Sequence, residues 1–252
     1  MKTAKIILVI VCIIALFNNI CYAEEELNWY IKKRGNEVPL FPPESCTVAK
    51  NGGIYVDEKA IENHEKKLYL TFDAGYENGN IEKILDIMKA EDVTGAFFIL
   101  SNIIEKNPEL IKRMSDEGHL VCNHTYNHKN MTKLTNEEIL SNLRRLENKY
   151  KEVTGRDMEK IFRYPEGRYN TRTLKLLNNN GYKTVFWSMA YDDWDNARQM
   201  HPDIAKAKLL STTHDGAIIL LHPTSSTNAA ILGDLIREWK SLGYSFASLK
   251  DI

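Results

Sequence analysis

Two periods alternate along the second half of the first hundred residues and onward to the C-terminus. Short β-rich runs at residues 68–72, 96–100, 119–122, 161–163, 184–187, 217–221 and 245–248 are separated by stretches whose apolar residues return every three or four positions. Ile81, Ile84, Leu85 and Met88 fall at i, i+3, i+4 and i+7 and predict one buried helix face. Thr135 and Glu138 have capping-box spacing ahead of the stripe Ile139, Leu143, Leu146 and Tyr150, and Gly155 is placed to stop that helix. Ile231, Leu235, Ile236 and Trp239 repeat the pattern before Gly243. Strands alternating with helices predict βα units around a parallel sheet of about seven strands.

Residues 24–66 have no sustained period and contain Pro39, Pro42, Pro43, Gly52 and Gly53, so an extended lead-in over the surface is expected there. No repeat or low-complexity linker interrupts residues 67–252, which predicts one domain. Upstream, Lys2 and Lys5 precede an unbroken apolar run of 12 residues, 6–17, and Cys21-Tyr22-Ala23 supplies small residues at the positions a signal peptidase reads. Residues 1–23 are therefore expected to be an export signal cut after Ala23. A spanning helix needs about 20 apolar residues, so no stable membrane span is expected once the signal is removed.

Composition narrows the functional classes. The 252 residues carry 33 Lys+Arg against 34 Asp+Glu, and loss of residues 1–23 removes two lysines and no acid, taking the net charge from −1 to −3. Without clustered cations there is little to hold a phosphate backbone, and no nucleic-acid partner is expected. Two of the four cysteines lie in the signal; Cys46 and Cys122 remain, as separate thiols or as one bridge, with separate thiols favoured by the apolar surroundings of Cys122.

Several apolar runs end in ionisable or metal-binding residues: Asp73, His124 with His128, Arg163, Asp192 with Asp193, and His222. In parallel α/β folds the C-terminal strand ends converge, so these residues are expected on one rim. On a helical turn, the His124-x-x-x-His128 spacing would put both imidazoles on one side at metal-chelating distance, although a solvated loop has the same pattern as often. Asp73 alone would serve equally as a helix cap, His222 as a buried core histidine and Arg163 as a structural ion pair. Their joint placement is what points to chemistry.

Thr71-Phe72-Asp73-Ala74-Gly75, His124-Thr125-x-x-His128, Arg163-Tyr164-Pro165-Glu166-Gly167, Asp193-Trp194 and Leu220-Leu221-His222-Pro223 resemble, in order, the five motifs of the polysaccharide deacetylase family (carbohydrate esterase family 4). The resemblance covers about residues 67–250 and implies a distorted (β/α) barrel, the NodB-homology fold, with removal of acetyl groups from acetylated sugars using a divalent metal. The run at residues 72–78 further resembles the spore-former branch that deacetylates N-acetylmuramate in peptidoglycan and forms muramic δ-lactam in the spore cortex. That branch implies a peptidoglycan glycan strand as partner, a muramoyl amidase acting first, and a secreted or cell-wall location.

What the resemblance implies for single residues is specific. Asp73 would be the general base, Arg163 its orienting cation, His124 and His128 the metal ligands, and His222 the general acid tuned by Asp193. Most family members carry a second acid where Ala74 stands, so the ion, expected to be Zn²⁺, would be weakly held. The first acid of the fourth motif corresponds to Ala190. Gly75, Tyr76, Tyr164 and Trp194 are expected substrate contacts, whereas Trp187 is expected in the core and Asp192 has no role in the family pattern. Two further readings are an N-acetylglucosamine deacetylase on peptidoglycan or chitin, and a carbohydrate-binding pseudoenzyme in which Ala74 marks lost catalysis.

Overall fold

A computed structural model describes residues 25–252, so the expected export signal lies outside the described residues. Strands are β1 (Leu27–Asn28), β2 (Lys32–Arg34), β3 (Glu37–Leu40), β4 (Lys67–Ala74), β5 (Ala96–Ile99), β6 (Leu120–Asn123), β7 (Ile161–Phe162), β8 (Arg168–Tyr169), β9 (Lys183–Thr184), β10 (Met189–Ala190), β11 (Ala217–Leu221) and β12 (Ser245–Phe246). Helices are α1 (Ser45–Lys50), α2 (Glu58–Glu62), α3 (Ile81–Ala90), α4 (Ser101–Lys106), α5 (Pro108–Asp116), α6 (Asn136–Thr154), α7 (Thr171–Asn179), α8 (Pro202–Leu210) and α9 (Ser226–Ser241).

The main sheet follows the path β10-β11-β4-β5-β6-β7-β9, seven strands paired in parallel, with β12 added against the start of β4. Its two ends, β9 and β10, are consecutive in the chain and joined by only residues 185–188. Four residues reach no more than about 17 Å, so the sheet must curl until its edges approach. The predicted strand at 184–187 is thus two short strands: Val185 N–H still donates to Phe162 O on β7, while Ser188 N–H donates to Ile218 O on β11. One stretch of chain changes partners to close a distorted barrel.

Side chains alternate across this sheet as a period of two requires. Leu68, Leu70 and Phe72 pack outward with Ile81, Ile84, Leu85 and Met88 of α3, every one of them 0–1% exposed. Tyr69, Phe98, Cys122, Ile161 and Ile218 form a separate inner cluster. The Thr135–Glu138 capping box is present at the start of α6, and Gly155 ends that helix in the left-handed region at φ +72°.

The lead-in departs from a surface strap. It contains α1, α2 and the β2–β3 hairpin, and it buries Trp29, Val48, Val56 and Ala60. Ile54 N–H donates to Thr184 O and Asp57 N–H to Gly216 O, which ties the lead-in to both β9 and the start of β11. Cys46 is exposed and Cys122 buried, both as free thiols, so the separate-thiol expectation holds.

Candidate active site

The inner rows of the barrel continue beyond the strands into polar residues. Tyr69 is followed on the same face by Thr71 and Asp73, Cys122 by His124, Ile161 by Arg163, and Ile218 by Leu220 and His222. Asp73 is within β4, His124 directly follows β6, Arg163 follows β7, His222 follows β11, and Asp193 lies just beyond β10. The rim expected from the sequence therefore forms.

Arg163 is fully buried and each of its three guanidinium nitrogens donates. Its Nη1 donates to Asp73 Oδ1 at 2.9 Å, Nη2 to Thr71 Oγ1 at 2.9 Å and Phe186 O at 3.3 Å, and Nε to Val185 O at 3.1 Å. The guanidinium also lies 4.1 Å from the centroid of the Phe98 ring. Burial would raise the Asp73 carboxyl pKa, but the charges of His124, Arg163 and His222 outweigh it and hold the group below its ordinary value.

His124 Nδ1 lies 3.0 Å from Arg163 O, so the proton on Nδ1 is donated to that carbonyl and the Nε2 lone pair is left free. Burial pushes its pKa down to about 4 despite Asp73, and the ring is neutral at neutral pH. Its Nε2 is 3.6 Å from Asp73 Oδ2, so the free lone pair of the ring faces the carboxylate side of the site. His128 lies beside it, ring centroids 5.1 Å apart, and burial lowers its pKa as well. Two neutral imidazoles fit a borderline-soft divalent ion. The described residues contain no group of three or more His, Cys, Asp or Glu able to hold a metal, and Ala74 packs with Phe72, Ile99 and Ile103 in the outer apolar layer.

The two histidines are not on a helix. Thr125 and His128 have φ values of +75° and +57°, and the loop is fixed by its own polar groups. Asn123 Oδ1 accepts from Thr125 N–H at 2.9 Å and Thr125 Oγ1 accepts from His128 N–H at 2.9 Å. The pair is thus set by a loop whose left-handed residues are held by side-chain bonds, not by a helical turn.

On the opposite side, His222 Nδ1 is 2.7 Å from Asp193 Oδ1, while the His222 backbone N–H donates to Asp193 Oδ2 at 2.7 Å. Burial would lower the His222 pKa, but the hydrogen bond and charge of Asp193 more than reverse it and the net shift is upward. Asn228, not foreseen from the sequence, donates to Asp193 Oδ2 at 2.6 Å and to His222 O at 3.0 Å, and accepts from Tyr191 Oη at 2.5 Å. A lone Asn on a helix carries no sequence signal of such a role.

The expected substrate contacts divide. Tyr164 is 0% exposed and packs against Phe162 and Phe186, so it belongs to the aromatic core and not to a sugar-facing surface. Trp194 is 61% exposed and Tyr76 is 46% exposed, with Tyr76 Oη accepting from Asn196 Nδ2 at 2.5 Å. Gly75 approaches Leu100 closely, an added Cβ lying 3.2 Å from Leu100 Cδ1. Trp187 packs against the Phe186 cluster as expected, and Asp192 is exposed. Glu166, also unforeseen, stands at φ +56° and pairs with Arg168 at 2.7 Å, its charge opposing the fall in the His128 pKa.

Fold and site together define a carbohydrate deacetylase. Residues 60–185 match the polysaccharide deacetylase family model, and the chain belongs to that family of hydrolases, which cleave amide bonds. It is 37% identical over 230 residues to peptidoglycan-N-acetylmuramic acid deacetylase PdaA of Bacillus subtilis, across 90% of this chain and 86% of that protein. It is also 37% identical over 228 residues to an uncharacterised 30.6 kDa protein of Geobacillus stearothermophilus, across 90% and 84% of the two chains. The solved structure of Bacillus subtilis PdaA, a family 4 carbohydrate esterase, matches with a TM-score of 0.85 at 36% identity, over 90% of this chain and 96% of that one. The barrel expected from the motifs is thus the fold of the family.

Proposed function

We propose that this protein is an exported peptidoglycan deacetylase that removes the acetyl group of N-acetylmuramate and so prepares muramic δ-lactam in spore cortex. One observation carries the catalytic reading: Asp73, aimed by the 2.9 Å bond from Arg163, and His222, whose Nδ1 lies 2.7 Å from Asp193, stand at the strand ends that also bear the imidazoles of His124 and His128. Environments that lower the pKa of one group and raise that of the other suit a base and an acid working in one reaction. The muramate assignment is supported by the likeness to PdaA and by the sequence at residues 72–78.

The reaction adds water to the acetamide carbonyl and breaks the C–N bond, releasing acetate and a free amine. Asp73 takes the proton from the attacking water, and Arg163 keeps that carboxylate ionised and aimed by a bond shared with no other acid. His222 holds Nδ1–H against Asp193, so Nε2 is the atom that passes a proton to the departing nitrogen. His124 and His128 would hold a divalent ion, Zn²⁺ being expected, which when bound polarises the carbonyl and acidifies a water. With no carboxylate at position 74, that ion is expected to exchange readily. Trp194 and Tyr76 offer exposed ring faces to the glycan.

Ring closure to the lactam joins the freed amine to the lactyl carboxyl with loss of water, which requires that an amidase has already removed the peptide. The test is mass spectrometry of muropeptides after incubating residues 24–252 with peptidoglycan whose muramate side chains have or have not been removed, with and without chelator. Loss of acetyl from stripped muramate, followed by loss of water, is expected. Acetyl loss from glucosamine alone would overturn the muramate assignment, and glycan binding without acetyl loss from either sugar would favour a binding protein.

A further inference from the structure

The loop that carries His128 and the turn that carries Arg163 and Glu166 come from different βα units, and one short segment of the lead-in holds both. The Glu26 carboxylate accepts from Asn130 Nδ2 at 2.8 Å and Thr132 Oγ1 at 2.5 Å, and Lys133 Nζ lies 3.3 Å away. All three converge on Oε2. These bonds hold the carboxyl far below its ordinary pKa, at about 2, with Thr132 the largest cause and Asn130 next. Asn130 follows His128 by two residues, and its own Oδ1 accepts from Thr132 N–H at 3.0 Å, so the carboxylate grips the end of the histidine loop.

Immediately downstream the same segment becomes β1, paired antiparallel with β8 through Leu27 to Tyr169 and Asn28 to Arg168. Trp29 N–H donates to Gly167 O at 2.9 Å and its Nε1 to Trp187 O at 2.9 Å. Gly167, at φ +66°, is pressed between the Trp187 ring and the base of the Trp29 side chain: an added Cβ would lie 2.9 Å from Trp187 and 3.1 Å from Trp29 Cβ. Trp29 is 4% exposed and stacks on Phe186, the residue whose carbonyl accepts from Arg163.

We propose that Glu26 and Trp29 are positioning residues for the deacetylase site, with residues 26–29 forming a strap that sets the His128 loop against the Arg163 turn. The strap touches none of the reacting groups. It acts because His124 is bonded to the carbonyl of Arg163, so the loop and the turn must keep one relative placement for the imidazoles to face Asp73. A displacement of about 1 Å at such a site costs up to about a hundredfold in turnover. This inference rests on the deacetylase reading for its kinetic consequence, but not for its structural one.

The experiment compares residues 24–252 with Glu26→Ala, Glu26→Gln and Thr132→Val, measuring hydrogen exchange across 124–134 and 163–169, thermal stability, and turnover. Glu26→Ala is expected to speed exchange in both segments and lower kcat by about tenfold, with little change in exchange over β4 and α3. Glu26→Gln, which keeps an acceptor oxygen, should recover most of the loss, and Thr132→Val should reproduce it from the other end. Unchanged exchange in the two segments for both Glu26→Ala and Thr132→Val overturns the strap. So does faster exchange throughout the chain in Thr132→Val, which would make the contact a matter of general stability. If the wild-type chain deacetylates no glycan, the exchange data still decide the strap, and the failure falls on the deacetylase reading.

Discussion

Asp193 grips His222 at two points, Oδ1 against the ring Nδ1 and Oδ2 against the backbone N–H, each at 2.7 Å. The imidazole can therefore neither rotate nor change tautomer without breaking a charge-assisted bond. Because the folded His222 pKa is raised, the pairing's contribution to stability is complete below the unfolded histidine value of about 6.5 and is lost as pH rises through the folded value. Asp193→Asn is expected to move the alkaline limb of kcat/KM to lower pH and to reduce turnover by about 10²- to 10⁴-fold. A pH–rate profile of the variant checks this, and an unmoved alkaline limb would assign that limb to another group.

Asn228 extends the same arrangement, since its amide donates to both Asp193 Oδ2 and His222 O and is itself held by Tyr191. Asn228→Leu leaves a buried carboxylate oxygen short of a donor, at a cost of about 1–3 kcal/mol. Asn228→Asp is expected to be worse, because it sets a second carboxylate beside the first. Denaturant titration of the two variants gives the order directly.

Arg163→Lys keeps the charge but not the geometry. A lysine ammonium cannot reach Asp73 Oδ1, Thr71 Oγ1, Val185 O and Phe186 O together, as the guanidinium does. Loss of stability by about 1–3 kcal/mol is expected from the unpaired carbonyls. A fall in kcat of about a hundredfold should accompany it as Asp73 loses its fixed aim. Thermal melts and steady-state kinetics on the same preparation separate the two effects.

These relationships differ in how far they could be read from the chain. The alternation that carries Tyr69, Thr71 and Asp73 on one face of β4 is a period of two, and the outward set Leu68, Leu70 and Phe72 makes it legible without a structure. The strand at 184–187 was legible as β-forming but not as two strands, because the change of partner from Phe162 to Ile218 is decided by closure of the barrel. The lead-in looked irregular for a related reason: Glu26 and Trp29 gain their roles only from partners more than 100 residues away. Tyr164 shows the opposite error, where proximity to a motif suggested a sugar contact for a ring that fills the core. Its neighbour in sequence, Arg163, points inward to the site while Tyr164 turns to the other face.

Exposed aromatic rings at the rim should act on binding more than on chemistry. Trp194 presents most of its surface to solvent, and Tyr76 is linked to Asn196 two residues beyond it, which couples the 75–79 loop to the 193–199 loop. Trp194→Ala is expected to raise KM for a glycan about tenfold with kcat changed by less than about threefold, the signature of binding lost equally from ground and transition states. Steady-state kinetics on a defined glycan distinguish this from an equal fall in kcat and kcat/KM.

Metal retention tests the two-imidazole arrangement most directly. Zinc supplied to the chelator-treated protein should bind with two protein ligands and exchange readily, because Ala74 lies in the apolar layer and adds none. His128→Ala removes half of that donor set and is expected to weaken zinc binding by at least about tenfold, on the scale set by losing even an outer-shell partner. The His124 ring, bonded to Arg163 O, should stay in place, so the variant is expected to melt near the wild-type temperature. Competition against a chromogenic chelator measures the affinity without any glycan present. Equal zinc affinity in wild type and His128→Ala would show that this imidazole is not a ligand, and the pair would then have to be explained as a structural feature of the positive-φ loop.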